Sequence, residues 1–250
     1  MANLDRDNSQ PIVVRVAFGS DYYVQLGDDM NAPVYDVARA LRPVRNLGTA
    51  AIVLVWVTTA ALIPLVVAVS GFARVAAQSA NDQTYDPVQV TDAANSFLLS
   101  TGLLSLVSLI SGIVFWVWSW RARVNAELLG GPRSQELSRG WTFWGWICPI
   151  VSLWFPCQIM LDIYRTSSGG QGSRAVVIAW WVVGLCAGVV PEIVGGRFTQ
   201  NTSPAKVSQA ITVIAIISVA AAAASAVLIS VVINRISAWQ QAVSQAQAGA

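Results

Sequence analysis

Gln158, Asp162 and Arg165 stand at i, i+4 and i+7 of the stretch PCQIMLDIYR. A helix starting near Pro156 therefore places all three on one face. The surrounding sequence is strongly apolar, and polar groups at membrane depth are the first suspects for function. Arg121, Arg123 and Asn125 close an earlier apolar run, and Glu192 lies near the end of a later one. A carboxylate, two amides and three guanidiniums can form a small polar site, or an ion-paired clamp that holds a bend in the chain. Asp162 can pair locally with Arg165 or across to Arg121 or Arg123. The clamp is the favoured reading, because these groups sit near the ends of apolar runs rather than in their middles.

Other chemistry has little to work with. The chain has no histidine, which removes the commonest general base and metal ligand. Cys148, Cys157 and Cys186 lie in apolar segments without metal-ligand spacing and read as small buried hydrophobes. The glycines of GGQG, from Gly169, lack the Lys-Ser/Thr that a phosphate loop requires. Basic residues are dispersed rather than clustered. We expect no catalytic residue, no metal, no cofactor and no nucleic-acid partner.

The elements that position these residues follow from composition. Of 250 residues, 55% are hydrophobic and 11% charged, against about 25% charged in an average soluble domain. The apolar residues come in runs of bilayer-spanning length. The fold class is an all-α integral membrane protein, with the bilayer as its first partner. Four spans are expected, at about 47–72, 96–120, 175–194 and 207–233, within a membrane domain of 47–234. A polar region, 1–46, precedes them and a polar tail, 235–250, follows. PIVVRVAF can form a short strand with YVQL as its partner. Val34, Val37, Ala38 and Leu41 give an amphipathic lead-in flanked by Arg39, Arg42 and Arg45.

Between the second and third spans lies WTFWGWICPIVSLWFPCQIMLDIYR, residues 141–165. Pro149 and Pro156 each remove an amide donor and strain the preceding turn. Tryptophans stand near its start and in its middle, and tryptophan prefers the membrane interface. We expect a broken, re-entrant or interfacial segment; a proline-kinked fifth span is the alternative. Basic residues number five in the N-terminal region and four in the loop after span two, against one in the loop between spans one and two. The positive-inside rule then makes the N-terminus cytoplasmic. A non-crossing segment brings the C-terminus to the same side, in an inner (plasma) membrane protein.

Small residues mark close helix approach. Gly184 and Gly188 form one pair, and Ser218, Ala222, Ala226 and Ser230 a series at i+4 spacing. Packing within one bundle is favoured over an interface with other subunits or a second copy.

The blocks FWVWSWRARVNAELL and WTFWGWICPIVSLWFPCQIMLDIYRTS, followed by AWWVVGL, resemble the domain of unknown function 4328 family of bacterial membrane proteins. Phe115, Trp118, Arg121, Asn125 and Ala126 fit the first block's pattern. Gly145, Trp146, Pro149, Ile150, Leu153, Trp154, Pro156 and Gln158 fit the second. The family pattern has Asn at Ser152, and an Arg–aromatic pair where this chain has Phe155 and Cys157. The resemblance runs from about Leu47 to the last span and is strongest from Phe115 to Ser167. It implies an architecture and an actinobacterial-type inner membrane, and no reaction. The expected function is that of a non-enzymatic accessory, scaffold or interaction subunit of a membrane complex. The alternative is a small oligomeric channel or transporter with a polar site near the broken segment.

Overall fold

The computed structural model describes residues 41–82, 86–198 and 203–248. The expected N-terminal strand, and the lead-in before Leu41, lie outside them. The described residues form helices α1 (Arg45–Asp82), α2 (Pro87–Gly130), α3 (Trp141–Ile147), α4 (Phe155–Ser167), α5 (Ala175–Phe198) and α6 (Pro204–Ala248), with short 3-10 turns at Pro132–Ser134 and Val151–Leu153. Among the described residues, α1, α2 and α6 are each long and apolar enough to cross a bilayer. Within α5 the described side chains form an apolar stretch, Ala175–Gly188.

The long helices overrun the apolar runs that seeded them. α2 starts at Pro87 rather than near residue 96 because Asp86 caps it: its Oδ1 accepts from the amides of Val88 at 3.0 Å and Gln89 at 3.4 Å. Proline suits the first helical position, where no amide donor is needed. α6 continues through the polar tail to Ala248. α1 passes through Pro64 without interruption, as membrane helices tolerate.

α1 packs along both α2 and α6, and α6 along α5, so the four helices form an arc in the order α2, α1, α6, α5. The α3–α4 segment fills the space between α2 and α5 at one end only. That end is the Asn125 end, where the start of α1 meets the ends of α2 and α6. Nearly all the buried core gathers there: Trp118, Ala122, Ile159, Ile163, Ile233 and Ile236 are its centre. Away from it the helices are bare. Only 6% of the most apolar window of α2 is buried, and Leu98, Leu99, Leu106 and Leu109 are exposed. Such a surface is stable against lipid and not against water.

Residues 141–165 are broken as their prolines require. Pro149 forces an extended conformation on the residue before it, and Cys148 (φ −73°, ψ 115°) ends α3. Pro156 lies in the first turn of α4. Neither helix, at 7 and 13 residues, can cross a core about 30 Å thick. The two pack against each other at Gly145, where an added Cβ would stand 3.2 Å from Phe155 Cβ. The segment is thus a hairpin. Its tip reaches the level of Trp181, whose Nε1 donates to Leu153 O at 2.8 Å, and of Phe115, whose ring meets Trp146 edge-on at 5.7 Å. Both of its ends lie at the Asn125 end.

The connector TSSGGQGS is a tight turn. Gly169 (φ 61°) and Gly170 (φ 83°) supply left-handed backbone. Gly172 lies so close to the Tyr164 ring that a Cβ would stand 2.5 Å from Cε1.

Candidate functional site

The polar residues of the Asn125 end form two linked groups. The first centres on Asn125, which is fully buried on α2. Its Nδ2 donates to Arg42 O at 2.8 Å and to Gln240 Oε1 at 2.9 Å, and its Oδ1 accepts from Arg42 N at 2.8 Å. The carboxamide thus pairs with both backbone groups of Arg42, as a neighbouring strand would. Gln240 in turn donates through Nε2 to Ala122 O and to Ser167 Oγ, both at 2.9 Å. One buried amide pair therefore ties together the entry to α1, the last turns of α2 and α6, and the end of α4. Satisfied networks of this kind fix one arrangement, because any partner left unpaired is costly in a low dielectric.

The second group surrounds the loop between α2 and α3. Arg123 is 1% exposed; its Nε lies 3.1 Å from Glu127 Oε1, and its Nη2 donates to Leu137 O. Glu127 also pairs with the exposed Arg139. Asp162 on α4 is 4% exposed, accepts from the amide of Glu136 at 3.0 Å, and lies 3.6 Å from Arg165. Burial pushes its carboxyl above the usual carboxylate range. The Glu136 amide bond and the charges of Arg165 and Arg123 oppose that shift, while the Glu136 carboxylate adds to it. Arg123 Nη1, Gln135 Oε1 and Thr142 Oγ1 are buried without a hydrogen-bond partner.

The structure brings together some of the residues singled out by sequence and separates others. Asp162 takes Arg165 as its partner. Gln158 shares their helix but donates to Glu136 Oε2. Among the described residues Arg121 reaches Pro43 O, at 3.5 Å. Glu192 lies in a part of α5 whose side chains are outside the described set. Pro149 and Pro156 shape the hairpin. An added Cβ at Gly184 would meet Ser225 Oγ on α6 at 3.2 Å, whereas at Gly188 it would meet nothing within 4 Å. Ala226 is buried; Ala222 is half-buried, as are Ser218 and Ser230, whose hydroxyls bond their own helix at Ile214 O and Ala226 O.

Sequence reasoning missed Gln240, Ser167, Glu127 and Glu136. Gln240 had a visible signal. Ile229, Ile233, Ile236 and Gln240 follow 4-3-4 spacing, so the buried stripe of α6 runs on into the tail and ends on an amide. Glu127 stands four residues after Arg123, the spacing of a helical ion pair.

The matched region of the comparison with protein families falls on these elements. Domain of unknown function 4328 matches residues 82–238, from the end of α1 to the last turns of α6; it starts later than the resemblance from Leu47 suggested. No curated protein and no solved structure matches the chain. The match covers more than half of the sequence and takes in α2 with Asn125, the hairpin and Ser167, while Arg42 and Gln240 lie outside it, and on it the chain belongs to the domain of unknown function 4328 (DUF4328) family.

Proposed function

We propose that this is a four-span inner-membrane protein with a cytoplasmic re-entrant hairpin, working as a non-enzymatic accessory or interaction subunit. α5, at 24 residues, rises about 36 Å and serves as the fourth span. The observation that carries the reading is how the polar groups are used. Asn125, Gln240, Asp162 and Glu127 spend their bonds on backbone and side chains of the same chain, across five parts of it. The large apolar and aromatic surface stays outward: Trp144, Ile147, Ile150, Leu153 and Trp154 on the hairpin are all exposed. A clamp inside and an aromatic face outside suit a protein that positions itself and a neighbour in a bilayer.

The competing reading is an oligomeric channel. The buried Arg123 Nη1 without an acceptor, beside the hairpin, favours it. A mild-detergent pull-down of the tagged protein from its native membrane, with native size measured, separates the two. The accessory reading expects a stoichiometric complex with another membrane protein. A clean homo-oligomer would support the channel and end the accessory reading.

A further inference from the structure

The seam between α1 and α6 at the Asn125 end holds two adjoining clefts, of about 450 and 390 Å³. They share Arg45, Gln241 and Gln245; Arg42, Asn46 and Ser244 line one, and Thr49 and Asn234 the other. Among the described residues no carboxylate lines either. Arg42 and Arg45 differ in this from three other guanidiniums of the same end: Arg123 and Arg139 share the Glu127 carboxylate, and Arg165 pairs with Asp162. Among the described residues, Arg42 and Arg45 have no ion-pair partner. Arg45 makes one long bond, Nη1 to Gln241 Oε1 at 3.3 Å, to a neutral acceptor across the seam, which leaves most of its donors free.

Local geometry reinforces the positive field. α1 begins at Arg45 and has no acidic residue in its first turn, so its N-terminal dipole is uncompensated from within. One turn further on, Gly48 closes the seam: an added Cβ would stand 2.9 Å from Ser237 Oγ. The helices therefore touch at Gly48 and open toward Arg45, where the polar end of α6 supplies amides and a hydroxyl. Two guanidiniums lining adjoining clefts, with neutral amide donors beside them, suit the oxygens of a phosphate group.

We propose that this seam binds a phosphate-bearing anion, supplied by the headgroup of an acidic phospholipid. The source follows from position: the clefts lie where the apolar length of α1 begins and that of α6 gives way to its polar tail, the level at which headgroups sit. The proposal rests on the membrane reading above. It is tested on purified full-length protein in detergent, so its failure is independent of which side of the membrane this end faces.

Native mass spectrometry compares binding of phosphatidylglycerol with phosphatidylcholine, for the wild type, the double variant Arg42→Gln/Arg45→Gln, and Arg133→Gln/Arg174→Gln. The last removes the same charge from exposed positions at the same end. Arg42→Gln leaves the Asn125 bonds in place, because those use backbone. The expected result is a preference for phosphatidylglycerol that falls about tenfold in the seam variant and not in the control. Absence of preference, or equal loss in both variants, overturns the site. Saturable binding of inorganic phosphate alone, sensitive to the seam variant but without lipid preference, overturns the phospholipid source in favour of a soluble phosphate compound.

Discussion

At the residue scale, the two most informative side chains are Asn125 and Asp162, and they act differently. Asn125 holds three bonds, two to the backbone of Arg42 and one to Gln240 Oε1. Asn125→Ala strands Arg42 N–H and Gln240 Oε1, at about 1–3 kcal/mol for each buried group left unpaired. We expect a loss of about 2–4 kcal/mol, read as a lower unfolding midpoint in detergent. Arg121→Ala, which removes a 3.5 Å reach to Pro43 O, is expected to shift it by less than about 0.5 kcal/mol. Asp162 on non-spanning α4 carries a pH signature. Burial favours its protonated form, so the folded chain binds that proton more tightly than the unfolded one. Its contribution is therefore most favourable at low pH. It declines as pH rises, from about 4, the unfolded carboxylate range, up through the raised value. Asp162→Asn still accepts from the Glu136 amide and removes the dependence. Wild-type stability relative to this variant should fall with rising pH; a pH-independent difference would contradict the burial argument.

At the element scale, the arc of helices is drawn tight where small residues meet large ones. Gly48→Ala would press a methyl between Ser237, Ile233 and Trp118 at 2.9–3.1 Å, an overpacking of about 1–3 kcal/mol. Gly188→Ala meets nothing within 4 Å and gains helix propensity, so it is expected to be neutral or slightly stabilising. Unfolding midpoints of the two variants, ranked against the wild type, check this pair. The sequence pointed to Gly184 and Gly188 through their spacing, and that spacing cannot say which glycine faces a neighbour. Gly48 stands without a partner glycine, so no motif marked it. Helix type was legible, since apolar runs this long leave few alternatives. Helix ends were less so: Asp86–Pro87 is a capping signal that hydropathy alone passes over, and the extension of α6 needed the buried stripe to be followed into a polar tail.

At the scale of the whole molecule, the break in residues 141–165 was legible because proline acts locally on the residue before it. What the break builds was not, because the hairpin depends on distant partners: Trp181 at its tip, Gln240 at its end, and Glu127 holding Arg139 just before its start. The membrane class and the family stand together with this architecture. The central claim is that the aromatic segment enters and leaves on one side. Single cysteines at Ser138 and Ser173, in a chain whose own three cysteines are replaced by serine or alanine, place its two flanks. Labelling intact cells, then opened cells, with a membrane-impermeant thiol reagent reads their sides. The account predicts that both positions are protected in intact cells and both react once the cells are opened. One position labelled from outside and the other only from within would make the segment a fifth span and contradict the hairpin.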